Sequence, residues 1–269
     1  MSARPTSRLV RVWRMLRLAL HILRGLLTAA IVLPWSTPRV RLVLTREWSR
    51  SLLSLLGVRL TIRGTPLNEN SHKAMVVANH VSWLDIYLLN AAWPARFVSK
   101  AEVRTWPVFG WLAEVTGTLF LERGKRRDTA RINNVITTAL SQGDCVAFFP
   151  EGTTTDGTHL RPFLASLLQP AIDAEAELHP VALRYLNNDD SINTLAAYYD
   201  EMSMMDSLRN ILAQREIRAE LHFLEPIACA HKTRRELARQ SEAAISSALN
   251  LANPHKTPET PDGRPGAAH

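Results

Sequence analysis

The chain has 269 residues, 46% of them apolar and 21% charged, with a formal net charge of +7. That balance supports a sizeable core and excludes a wholly disordered chain, and the length suits one large domain or two small ones. The charge is uneven: residues 1–50 hold ten Arg, no Lys and one acid, Glu47, a local balance of +9 that leaves −2 for the remainder, so an anionic partner is expected for the N-terminal segment alone.

Within that segment Leu9, Val12, Trp13, Leu16, Leu20, Leu23 and Leu27 recur at helical spacing and predict one apolar stripe, with Arg11, Arg14 and Arg17 on the opposite side. A basic amphipathic helix rich in Leu and carrying a Trp fits a membrane interface. Nucleic-acid arms seldom carry so much Leu, so no nucleic-acid partner is expected. The competing reading is an ordinary surface helix packed on the core. His21 and Arg24 interrupt the apolar run and Pro34 ends it. That leaves too little for an untilted span of roughly 20 residues, so a monotopic helix is preferred over a short span. No small-residue cleavage site follows, which argues against a secretory signal. After Pro34 and Pro38 a second helix is predicted with Leu44, Trp48, Leu52 and Leu55 on one face and Gly57 as its stop. Residues 1–57 thus read as a membrane-associating helical hairpin.

From residue 58 strands and helices alternate. Strands are predicted over 58–63, 73–79, 95–100, 118–123, 144–150, 178–186 and 217–225. Helices are predicted over 82–92, from Pro107, over 128–142 with Asp128 as N-cap and Gly143 as stop, over 163–174 and over 233–250. The pattern implies an α/β fold with a central mixed sheet flanked by helices, one globular domain over 58–252, and a Pro- and Gly-rich tail, 253–269, expected to be disordered. Cys145 and Cys229 sit in apolar surroundings without metal-ligand spacing and are expected to be reduced, as suits a chain facing the cytosol.

Function in such folds gathers where loops leave the strand ends. Four polar clusters are predicted there: His80 and Asp85; Lys100; Glu122 and Arg123; and Glu151, Gly152 and Thr153. A lone histidine after a strand is more often structural than catalytic, but four such clusters are harder to dismiss. Asp85 stands five residues after His80, near enough on a following helix to hold one ring nitrogen while the other accepts a proton. No G-x-S-x-G elbow is present, so the nucleophile is expected to be a hydroxyl of the substrate. "HVSWLD" lacks a second His at ligand spacing, and no metal is expected.

"NHVSWLD" resembles the N-H-x-x-x-x-D motif of the glycerophospholipid acyltransferases, the lysophosphatidic acid acyltransferase-like family. "GTLFLER", "FPEGTTT" and "HPVAL" (with Pro180) resemble that family's next three motifs in order, over roughly residues 40–250. The resemblance implies an O-acyltransferase in phospholipid biosynthesis. It would move a fatty acyl group from acyl-CoA or acyl carrier protein, used as co-substrate with no other cofactor, to the free sn-2 hydroxyl of lysophosphatidic acid. His80 would be the general base and Asp85 its partner. Arg123 would bind the acceptor phosphate, Lys100 would add positive charge, and Glu151, Gly152 and Thr153 would shape the acceptor site. The implied place is the cytoplasmic face of the inner membrane, with the bilayer and the lysolipid as partners. Two departures matter: Thr154 stands where the family usually has Arg, and Ser166 where it often has Gly. Both resemble the branch that acylates lyso-ornithine lipid, a phosphate-free acceptor kept as the alternative, although phosphatidate-forming members can share them and Arg123 points the other way. A thioesterase or an inactive membrane scaffold ranks below either.

Overall fold

The computed structural model describes residues 6–68, 71, 73–106, 109–121 and 126–255. Helices α1 (Arg8–Leu27) and α2 (Pro38–Leu56) precede strand β1 (Val58–Gly64). Then follow β2 (Ala74–Ala78), α3 (Leu84–Ala92), β3 (Arg96–Lys100), α4 (Phe109–Val115), β4 (Leu119–Leu121), α5 (Arg126–Ser141) and β5 (Val146–Phe148). The chain continues through α6 (Gln169–Asp173), β6 (Glu177–Leu186), α7 (Met204–Ala213), β7 (Ile217–Phe223), β8 (Ile227–Ala228) and α8 (Arg234–Leu249).

The strands form one mixed sheet in the order β1-β7-β6-β2-β5-β3-β4, with β8 pairing off that path to β6. Strands β6, β2, β5, β3 and β4 run parallel, whereas β7 is antiparallel to β6. The C-terminal ends of β2, β5, β3 and β4 therefore leave the sheet at one edge, which brings His80, Glu151 and the backbone of Lys100 to the same side. β2 is buried along its whole length, as expected of a central parallel strand covered on both faces. Cores lie on both sides of the sheet. One holds Leu56, Leu84, Leu88, Tyr185 and Ile211, and the other holds Ile136, Leu140, Leu168, Leu178 and Ile245.

Several helix ends follow from local chemistry. Gly57 closes α2 in the left-handed region at φ +78°, the conformation its missing Cβ permits. Thr233 and Glu236 form a capping box at the start of α8. Asp128 is not an N-cap, because α5 already begins at Arg126. The helix expected over 163–174 is shorter. A 3₁₀ turn over Ala165–Leu168 leads into α6, where Pro170, which has no N–H to give, occupies the first turn. Both cysteines are free thiols, and burial pushes Cys145 up to about 12 and Cys229 to about 11. Of the tail, His255 Nε2 lies 3.2 Å from Glu242, and residues 256–269 lie outside the described residues.

The N-terminal helices bear on the site because α2 covers α3. Leu52, Leu53 and Leu56 enter the same core as α3, and Arg50 Nε donates to the Ala91 carbonyl in the last turn of α3 at 3.0 Å. α1 runs antiparallel to α2: the His21 ring stacks on Trp48 at 4.7 Å, and a Cβ on Gly25 would meet the Trp48 indole at 2.5 Å. The seven predicted stripe residues of α1 all face away from the protein, from 51% exposed at Leu23 to 83% at Leu9. This removes the reading in which they pack on the core. On the opposite side Arg14 is not free to meet an anionic partner. Arg14 donates to the Gln214 and Arg215 carbonyls at 2.7 and 3.0 Å, just past the end of α7, where Thr6 also donates to Leu212 and Ala213. Nor does the apolar run end early. A π turn and a 3₁₀ turn continue the helix to Trp35, giving 28 residues with a best-window mean hydropathy of 1.8, enough by length and composition to cross a bilayer.

Arg14 and Arg17 should therefore fail differently. Arg14→Gln removes cations from carbonyls at a helix C-terminus and should cost about 1 kcal/mol of stability, a fall of roughly 2–4 °C in Tm, while vesicle binding changes little. Arg17→Gln should do the reverse. Thermal melts and vesicle co-sedimentation of the two variants separate the roles, and identical behaviour would show that Arg14 is not structural.

Candidate active site

β2 ends at Ala78, and Asn79 is bonded in both directions to Leu183 of β6: its Nδ2 donates to the carbonyl at 2.9 Å and its Oδ1 accepts from the N–H at 2.8 Å. This staple fixes the point at which the chain leaves the sheet. His80 follows, then a tight turn, and α3 begins at Leu84 with Asp85 in its first turn, where the helix dipole favours a negative charge.

Asp85 is 0% exposed. Its Oδ2 accepts from the Val81 and Ser82 N–H groups at 2.7 and 2.9 Å and lies 2.8 Å from His80 Nδ1. Its Oδ1 accepts from the Tyr185 hydroxyl at 2.6 Å. A carboxylate surrounded by donors takes the Nδ1 proton of His80 as one of them, which leaves Nε2 as the basic nitrogen. The ring is mostly enclosed and stacks on Phe149 at 3.9 Å between centroids, nearly parallel. Nδ1 and the stacked face together fix the orientation of Nε2.

Glu151 is nearly as buried as Asp85, but it faces the backbone rather than an opening. Its Oε1 accepts from the His80 N–H at 2.7 Å and its Oε2 from the Arg161 N–H at 2.8 Å. Burial pushes its carboxyl up to about 7, the two N–H donors pull the other way, and the charge on Asp85 adds to the rise. Thr155 closes the same loop, its N–H donating to the His80 carbonyl at 2.9 Å. Gly152 lies at φ +71° in the turn between Glu151 and the half-buried Thr153.

Of the predicted site residues, the structure brings together His80, Asp85, Glu151, Gly152 and Thr153. Lys100 ends β3 opposite Leu121 of β4 at the same sheet edge, but its side chain lies outside the described residues, as do Glu122 and Arg123. Sequence reasoning missed Tyr185, Asn79, Thr155 and Phe149. Tyr185 had a readable signal, since a tyrosine in an otherwise apolar buried strand needs a partner for its hydroxyl. β6 extends past the end of β2, which is what carries Tyr185 over to Asp85. Burial first and Asp85 second hold its phenol well above the ordinary value, so it remains a donor.

The acyltransferase family model matches residues 59–184. The chain is 35% identical over 230 residues to a 1-acyl-sn-glycerol-3-phosphate acyltransferase of Neisseria meningitidis serogroup B, covering 83% of this chain and 87% of that protein. It is 40% identical over 207 residues to a lyso-ornithine lipid O-acyltransferase of Pseudomonas aeruginosa, covering 77% of this chain and 78% of that one. The crystal structure of a 1-acyl-sn-glycerophosphate acyltransferase from Thermotoga maritima shares the fold, with a TM-score of 0.63 at 18% identity over 88% of this chain and 96% of that one. The chain belongs to the glycerophospholipid acyltransferase family and is an acyltransferase of lipid metabolism.

Two variants test the buried frame. Tyr185→Phe strips one donor from Asp85, a loss worth about 1–3 kcal/mol in a buried site. It should lower kcat by about tenfold or more with little change in the acceptor KM; an unchanged kcat would remove Tyr185 from the frame. Glu151→Gln has a pH signature. With a folded pKa of about 7 against an ordinary 4.5, the folded state holds this proton more tightly than the unfolded chain. Its contribution to stability is full below 4.5 and is lost as pH rises through 7. The Tm of the wild type should fall relative to Glu151→Gln between pH 5 and 7.5, and a constant difference would contradict the shift.

Proposed function

We propose that His80 is the general base that activates a lysolipid hydroxyl toward an acyl thioester. The observation carrying this is the 2.8 Å contact of His80 Nδ1 with the buried Asp85, which leaves Nε2 as proton acceptor. The acceptor hydroxyl attacks the thioester carbonyl as its proton passes to Nε2, and the imidazolium beside Asp85 is stabilised. The tetrahedral intermediate collapses, the C–S bond breaks, and the leaving thiolate takes the proton back from Nε2. The products are an ester and a free thiol, and no covalent acyl-enzyme forms. Asp85, Tyr185, Glu151 and Thr155 act as positioning residues around this base.

Lysophosphatidic acid is the acceptor we favour, giving phosphatidic acid, with Arg123 as the phosphate-binding cation and Lys100 as a weaker point charge. Gly152 and Thr153 border the acceptor site, and the donor is acyl-CoA or acyl carrier protein. Support comes from the Neisseria relative and from the Arg at position 123. Thr154 favours a second reading, a phosphate-free lyso-ornithine lipid, and the Pseudomonas relative supports it.

The outward apolar stripe of α1 is proposed to seat the enzyme on the cytoplasmic face of the inner membrane, lying in the interface. A crossing placement fits less well. The start of α1 is tied to α7 through Thr6 and Arg14, and the adjacent α2 carries Arg39, Arg41, Arg46, Glu47 and Arg50, which would have to cross with it.

A folded His80→Ala enzyme should lose at least about 100-fold in kcat, and near-normal turnover would sink the mechanism. Initial rates on the two acceptors decide between them. With lysophosphatidic acid as substrate, Arg123→Ala should raise the acceptor KM about 10- to 100-fold and leave the donor KM unchanged, while Thr154→Arg leaves activity intact or improved. A large preference for the ornithine lipid would overturn the first acceptor and keep the base.

A further inference from the structure

The antiparallel seam between α1 and α2 carries an open cleft of about 440 Å³ lined by Arg17, His21 and Arg24 of α1 and by Arg50, Ser51 and Ser54 of α2. Arg24 also borders a second groove of about 330 Å³ along the outer side of α1, walled by Leu20, Leu23, Leu27 and Ile31. A basic cleft and an apolar groove thus meet at a single arginine. Arg17 and Arg24 have no ion-pair or hydrogen-bond partner among the described residues, whereas Arg50 is held by the Ala91 carbonyl and by Glu47. Glu47 is the only acid on either helix, so the cleft keeps a net positive charge. The groove faces out on the same side as the apolar stripe.

We infer that this junction is a binding site for one anionic phospholipid of the bilayer, separate from the active site, with the phosphate between Arg17 and Arg24 and an acyl chain along Leu20, Leu23 and Leu27. Charge complementarity argues for the occupant. Guanidinium groups without acidic partners, with serine hydroxyls beside them, match a phosphodiester, and the adjoining wall offers apolar contact to a chain and nothing to a free anion. A diffuse attraction of basic residues to a charged surface would not need a cleft and would not care which arginines were removed. A built site does care. Its occupation by a bilayer lipid rests on the interfacial seating proposed above, since a helix lying in the interface presents phosphate and chain to it together.

The test uses the full chain in detergent and monomeric dihexanoyl phosphatidylglycerol below its micelle concentration, read by calorimetric titration. Inorganic phosphate, glycerophosphoglycerol and dihexanoyl phosphatidylcholine serve as separate ligands. The wild type should bind phosphatidylglycerol saturably. The double variant Arg17→Gln/Arg24→Gln should bind it at least tenfold more weakly, while Arg8→Gln/Arg39→Gln, which removes the same charge from the hairpin outside the cleft, should change binding less than twofold. Leu23→Gln/Leu27→Gln, at exposed positions where refolding is not in question, should weaken phosphatidylglycerol and leave glycerophosphoglycerol unchanged. Equal losses in the two arginine doubles would overturn the site. Inorganic phosphate binding as tightly as the lipid would overturn the lipid as its occupant. Flotation of the same proteins with phosphatidylcholine vesicles, with and without phosphatidylglycerol, tests the seating by itself: a wild type that binds the soluble lipid but no vesicle would retain the site and refute the seating.

Discussion

A carboxylate taken out of water is costly unless donors replace its hydration shell, and this constraint at Asp85 organises the centre of the molecule. Four groups from three places supply the donors: two backbone N–H groups of the turn after β2, the ring of His80, and the hydroxyl of Tyr185 on β6. Meeting that requirement sets the turn, the start of α3 and the register between β2 and β6 at once. Asn79 repeats the link to β6 one residue before His80. The histidine is thus held by its own N–H on Glu151, its carbonyl on Thr155, its Nδ1 on Asp85 and its ring face on Phe149. Nε2 is the part of the residue left for chemistry.

The same frame reaches outward to the hairpin. Trp83, at the start of α3, contacts Tyr87 edge-on at 5.9 Å, Tyr87 meets Trp48 of α2 at 5.6 Å, and Trp48 stacks on His21 of α1. Trp83 also donates to Ser207 of α7, and α7 in turn is held at its far end by Thr6 and Arg14. The helix that carries Asp85 is therefore linked through α2 and α7 to α1, whose apolar stripe faces outward.

Much of this was legible because the signals were local. Apolar runs mark the buried strands β2 and β5, Gly57 marks the end of α2, and His80 to Asp85 is a short-range spacing. What was not legible depends on partners distant in sequence. Tyr185 reads as one more core aromatic until β6 is known to overrun β2. Arg14 reads as a free cation until α7 ends beneath it, and α7 itself, short and bordered by polar segments, was not anticipated. The resemblance gives Glu151 a part in shaping the acceptor site without showing what holds it. Its two backbone donors, one of them 71 residues away in sequence, fix it within the loop. Asp128 was overruled because α5 starts two residues before it. The spacing places the amphipathic stripe on α1, and the packed structure adds that the stripe looks outward while Arg14 is turned to the end of α7.

The central claim is that Asp85 fixes His80 with its proton on Nδ1 and its lone pair on Nε2. Nitrogen NMR of the ¹⁵N-histidine-labelled enzyme, with His80 assigned by comparison with His80→Ala, reads this directly. In the neutral ring, Nδ1 should resonate as a protonated, pyrrole-type nitrogen and Nε2 as an unprotonated, pyridine-type one, and Asp85→Asn should erode that preference. A His80 ring found with its proton on Nε2 in the wild type would contradict the account, because that nitrogen could not then accept the proton of the attacking hydroxyl.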